Sequence, residues 1–152
     1  MRIFLPLTTE DRTDIAASAS RLSLSEGRAA WAVTAEVRSD RAGEDEEELE
    51  YDAIQDAVHV ALGAEGPQSR ALVIAADVPQ TALRTAEDSG GAYGVAITSP
   101  VEATIASFHV TELDARGAAE DDTDPALLWF DATEGPQALA YLDAVPGQAC
   151  AT

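Results

Sequence analysis

The chain has no lysine and no asparagine, and Cys150 is its only cysteine. Its nine basic residues are all arginine, set against 28 acidic residues, for a net charge of −19. The arginines are scattered and form no basic stripe. Phosphate backbones and anionic lipid are bound through Lys/Arg clusters, so no nucleic acid and no membrane is expected as a direct partner. One thiol excludes an internal disulfide and a cysteine-based metal site. No run approaches the roughly 18 apolar residues of a membrane span. The opening segment Met1-Arg2-Ile3-Phe4-Leu5-Pro6 has no long apolar core, so no signal peptide is expected. A cytoplasmic location follows as the expectation. Also missing are a G-x-S-x-G elbow, a G-x-x-x-x-G-K loop and an H-E-x-x-H helix. No cofactor is expected.

What is present is an ordinary core. Hydrophobic residues make up 46% of 152 residues, enough for one domain with a buried interior. We expect one globular unit over 1–145 and a short tail over 146–152. Arg2 to Leu7 predicts a strand, followed by a helix capped by Thr8 or Thr9 and reaching about Leu22. Ala30 to Thr34 predicts a strand, and 36–44 an irregular stretch. The clearest helix is Asp45 to Leu62. There Leu49, Ala53, Ala57, Val60 and Ala61 share one side, with Ile54 and Val58 beside them. Ala71 to Ala76 is an unbroken apolar run and predicts a central strand. Asp77 can cap a short helix near Pro79 to Ala86, and Ser89-Gly90-Gly91 reads as a turn. Tyr93 to Thr98 predicts a strand. Ser99-Pro100-Val101-Glu102 has the form of a capping box with proline at the first helical position. Ser107 to Thr111 and Leu127 to Phe130 predict strands around an acidic loop over 114–124. Thr133 can cap a final helix through Leu142. The fold class expected is α/β or α+β, a single mixed sheet of about six strands flanked by helices.

Four constellations can carry chemistry. Glu48, Asp52, Asp56 and His59 share the polar face of the long helix and could ligate a divalent metal. A solvated face opposite an apolar stripe accounts for the same residues. Thr8, Thr9, Thr34, Asp77, Thr98, Ser99, Thr111, Glu112, Asp131 and Thr133 all follow apolar runs. A parallel sheet would gather them on one rim, where open sheets bind ligands; helix capping is their simpler role. His109 alternates with Phe108 and Val110 on its strand and is a candidate base or ligand. Asp77, His109 and Asp131 are therefore the catalytic candidates, provided they converge in one pocket. Trp129 and Phe130 are adjacent on a strand and face opposite ways, so one can be core while the other marks a contact surface. Seven of the nine residues from Glu44 to Asp52 are acidic. Glu46, Glu47 and Trp129 are the candidate partner contacts.

Four segments, in order, carry a resemblance. They are Met1-Arg2-Ile3-Phe4-Leu5-Pro6-Leu7, Glu46-Glu47-Glu48-Leu49-Glu50-Tyr51, Val73-Ile74-Ala75-Ala76-Asp77-Val78-Pro79, and Ala106-Ser107-Phe108-His109-Val110 taken with Leu128-Trp129-Phe130-Asp131. The chain resembles a family of small acidic actinobacterial proteins classed as a domain of unknown function. That resemblance implies a cytoplasmic protein of a high-GC bacterium, whose codon bias would explain the missing lysine and asparagine. It implies no activity and no catalytic residues. The expected function is a non-enzymatic module that binds a protein partner or self-associates. A small carboxylate- and histidine-dependent enzyme or metal-dependent binder is the alternative, and an acidic nucleic-acid mimic the third.

Overall fold

A computed structural model describes residues 1–64, 69–86, 92–120 and 124–144. The elements run β1 (Arg2–Pro6), α1 (Thr9–Ala16), β2 (Arg21–Leu24), β3 (Ala29–Trp31), α2 (Ala35–Asp40), α3 (Glu46–Ala64) and β4 (Leu72–Asp77). A 3-10 turn (Gln80–Ala82), β5 (Leu83–Thr85), β6 (Gly94–Ile97), β7 (Val101–Thr111), α4 (Ala115–Glu120), β8 (Leu127–Asp131) and α5 (Gly135–Asp143) follow. Among the described residues eight strands form one sheet in the order β2-β7-β4-β1-β3-β6-β5, with β8 also on β7. Every pairing is antiparallel, so the sheet is wider than the six strands expected and is not mixed.

Strand β7 organises one half of this sheet. Residues Thr104 to Val110 pair β4 on one side. On the other side β2 takes Val101 to Thr104 and β8 takes Ser107 to Thr111, end to end. The register slips where Ala75 opposes Ser107 but Ala76 opposes Ile105, leaving Ala106 as the extra residue of a bulge. The bulge lets both Ile105 and Phe108 reach the same core. The capping box read at Ser99-Pro100-Val101-Glu102 is thus overruled. Val101 begins an eleven-residue strand, because pairing with three neighbours outweighs one local cap.

Each sheet face buries a separate core. Ile3, Leu5, Leu72, Ile74, Phe108 and Val110 point one way and pack with Ile15 of α1 and Ala138 and Leu139 of α5. Phe4, Trp31, Val73 and Ala75 point the other way and pack under Leu49, Ala53, Ala57, Val58 and Ala61 of α3. The period-two alternation sends each strand's side chains to both layers. Arg28 ties α1 to the chain entering β3. Its guanidinium is 2.7 Å from the buried Asp11 carboxylate and donates to the Pro6 carbonyl at 2.9 Å. Asp11 in turn accepts from the Thr8 amide and completes a capping box with the Thr8 hydroxyl.

Other expectations shift locally. The first helix stops at Ala16 rather than near Leu22. Ser18 turns the chain at φ 61°, and Leu22 and Leu24 then alternate into the core as β2. Residues 36–44 are not wholly irregular, since Thr34 caps α2 through the Val37 amide. Asp77 caps no helix and instead pairs with Arg2, and the segment after it is one 3-10 turn and β5. Within the loop expected over 114–124 lies α4. Thr133 does not cap α5; its amide and hydroxyl donate to Asp131, and Glu134 stands at the cap position. On α3, Val60 is exposed and Gln55 buried, so the helix is rotated from the face expected. The turn at Ser89-Gly90-Gly91 and the tail over 146–152 lie outside the described residues.

Candidate functional site

The antiparallel order decides where the polar residues go. Strand ends alternate between the two rims, so the strand-end residues cannot gather on one. Thr8 and Thr111 lie at the rim where Pro6 meets Val73, whereas Asp77 lies at the opposite rim beside Arg2. Thr111 is buried and structural: its hydroxyl accepts from the Ala71 amide and donates to the Leu113 carbonyl.

Of the catalytic candidates, Asp77 and Asp131 share a rim, opposite Thr104 and Ser107 of β7, while His109 lies farther along that strand. Asp77 is engaged by Arg2 at 2.8 Å. The Asp131 carboxylate is turned onto Thr133, whose hydroxyl and amide hold it below the usual aspartate range. His109 lines a cavity. That cavity is a groove of about 300 Å³ on the α3 side of the sheet. It arises because α3 lies mainly over β3, β1 and β4; Ala106 of β7 and Leu127 of β8 pack against the core beneath it, and the Trp129 end of this face is left open. Its floor is Arg2, Phe4, Ala75, Ser107 and His109, with Arg2 paired to Asp77, its helix wall Glu47, Glu50, Tyr51 and Ile54, and its far wall Trp129.

Strand periodicity puts Ser107 and His109 on this floor together, two residues apart on β7, with Trp129 opposite His109 on β8. The Ser107 hydroxyl lies 2.9 Å from Nε2 of His109. Burial, with the nearby Arg2 charge, lowers the His109 pKa to about 4, so the ring is neutral at physiological pH. A neutral imidazole can either accept the Ser107 proton or donate to its oxygen. Trp129 is 62% exposed, whereas Trp31 is buried in the core. Phe130, its neighbour on the other face, packs near Tyr141 at 6.1 Å between ring centroids. The expected division of these two aromatics into surface and core is therefore present.

The acidic helix face divides. Glu46 is held by Arg38 through two hydrogen bonds of 2.9 and 2.5 Å, which lower its pKa. Glu47 lines the groove with Glu50. Glu48 faces a neighbouring hollow with Glu44, Glu47, Tyr51 and Asp52. Asp52, Asp56 and His59 border a third hollow with Gln55, Tyr93, Asp124 and Arg41. Arg41 already supplies the cation there, 3.6 Å from Asp52 and over the Tyr93 ring. Partial burial and the Asp52 charge raise the Asp56 pKa. Among the described residues no group of three or more His, Cys, Asp or Glu side chains is placed to hold a metal ion.

The groove residues that the sequence left unmarked are Arg2, Glu50, Tyr51 and Ser107. Ser107 had a signal, being two residues from His109 on a strand. Arg2 and Tyr51 had none, because their place depends on strand order. No described helix is long and apolar enough to cross a membrane. A family model described as a family of unknown function, DUF6912, matches residues 1–139. No curated protein and no solved structure matches the chain.

Proposed function

The chain belongs to the DUF6912 family of unknown function, and since that membership supplies no activity, we propose from the groove itself that the protein is a cytoplasmic docking module for a basic segment of a partner protein. The observation that carries this is Trp129, exposed on uncovered sheet and facing Glu47 and Glu50 across the groove. An exposed indole beside carboxylates suits an arginine or lysine side chain, which gains cation–π and ionic attraction together. The net charge of −19 steers basic partners and opposes a second copy of the same chain. The test is calorimetric titration with an arginine-rich and a glutamate-rich peptide. Saturable binding of the first alone, weakened by salt and lost in Trp129→Ala, is expected. Equal binding of both peptides, or unchanged binding by Trp129→Ala, refutes it.

A second reading rests on the Ser107–His109 hydrogen bond. It makes the groove a small hydrolytic site: the imidazole takes the hydroxyl proton as Oγ attacks an activated ester, the ester C–O bond breaks and the leaving alcohol takes that proton, and water then releases the acid from Ser107. A fluorophosphonate probe that labels Ser107, and fails to label Ser107→Ala, would favour this reading over pure docking.

A further inference from the structure

Among the described residues the sheet has three edge positions, and two of them are guarded. Edge strand β5 is three residues long and carries the exposed Arg84. Edge strand β2 is four residues long and begins with the exposed Arg21, which reaches Glu102. Short length and charge are the usual means of stopping an edge from recruiting another strand. Edge strand β8 is Leu127-Leu128-Trp129-Phe130-Asp131. It is the longest of the three, and only its last residue is charged.

Register shows which backbone groups β8 offers. The Glu112 amide donates to the Ala126 carbonyl, which makes Ala126, Leu128 and Phe130 the residues bonded to β7. Leu127, Trp129 and Asp131 therefore turn their N–H and C=O groups away from the sheet. Asp131 is closed off locally: its amide donates to the Glu134 carboxylate at 3.1 Å, and its carbonyl accepts from the Glu134 amide at 3.0 Å. Among the described residues no strand pairs with the outward groups of Leu127 and Trp129. The open backbone is thus the stretch that carries the exposed indole at the groove wall.

Resting on the docking reading above, we propose that the basic partner segment binds as an extended strand added antiparallel or parallel to β8. It bonds to the backbone of Leu127 and Trp129 and sends alternate side chains over Trp129 toward the Glu47 side of the groove. Charge selects the occupant: a second copy would bring another −19 to this edge, whereas an arginine-bearing strand meets carboxylates.

The probe is a short acetylated peptide of alternating arginine and valine. Two twins carry N-methyl groups on one or the other set of alternate amides. Strand addition predicts that one twin binds like the parent and the other about tenfold or more weaker, because only one set of amides faces β8. It also predicts slowed hydrogen exchange at the Leu127 and Trp129 amides when the parent is bound. If both twins bind as well as the parent, strand addition is overturned while docking stands. If the parent does not bind, both fall. If light scattering shows a dimer that Trp129→Arg disperses, the occupant is a second copy and the proposal is overturned.

Discussion

His109 makes the protein's stability depend on pH in a way that can be separated from its many carboxylates. Its pKa falls from 6.5 to about 4, with burial as the larger cause and the Arg2 charge as the smaller. Above pH 6.5 the ring is neutral in both folded and unfolded chains and contributes no pH dependence. Below it the unfolded chain takes up a proton that the folded chain refuses, so stability falls as pH drops, until the folded ring also titrates near pH 4. The interval corresponds to about 3 kcal/mol at most, since one pKa unit is about 1.4 kcal/mol and part of the ring borders an open groove. His109→Gln keeps a polar partner for Ser107 and removes the titration. Urea denaturation of both proteins from about pH 7.5 to 4.5 should show a stability difference that is flat above 6.5 and moves against the wild type below it. Carboxylates common to both proteins cancel in that difference. Parallel curves, or an NMR titration placing the His109 ring near pH 6.5, would refute the burial argument.

Gly135→Ala should destabilise by about 1–3 kcal/mol, because a Cβ there would lie 2.7 Å from Ile15 Cγ2 where α5 meets α1; thermal denaturation measures it. Arg28→Ala should cost about 3–5 kcal/mol by leaving the Asp11 carboxylate buried and unpaired. Adding Asp11→Asn to that variant should recover part of the loss, and no recovery would contradict the ion-pair account. Trp129→Ala should change stability by no more than about 0.5 kcal/mol while removing the solvent-exposed component of tryptophan fluorescence. A large destabilisation would mean that the indole is a packing residue instead.

Particular segments show what was legible. Thr8 or Thr9 announced the start of α1, and Thr8 is the cap, since a cap needs only residues within a turn. Ala71 to Ala76 announced a central strand, because a run with no polar alternation must be covered on both faces, as β4 is between α3 and α5. Trp129 and Phe130 announced opposite faces for the same reason of local geometry. Ser99 to Glu102 misled because its local signal was real but weak, and long-range pairing of β7 outweighed it. The single rim proposed for all the strand-end residues failed because it required parallel strands: Thr8 and Thr111 lie at one rim, Asp77 and Asp131 at the other.

The amino-acid sequence by itself determined the charge, the periodicity of each element and the neighbours within a turn or two, all set by bonds and sterics close along the chain. Which strand lies beside which was decided only by the tertiary structure. Arg2 comes within range of His109, and Trp129 stands across from Glu47, through contacts between residues far apart in the chain, and β8 is left with an open edge because the other strands pair elsewhere. Burial and the exclusion of water select among such pairings, and they act on the assembled sheet as a whole.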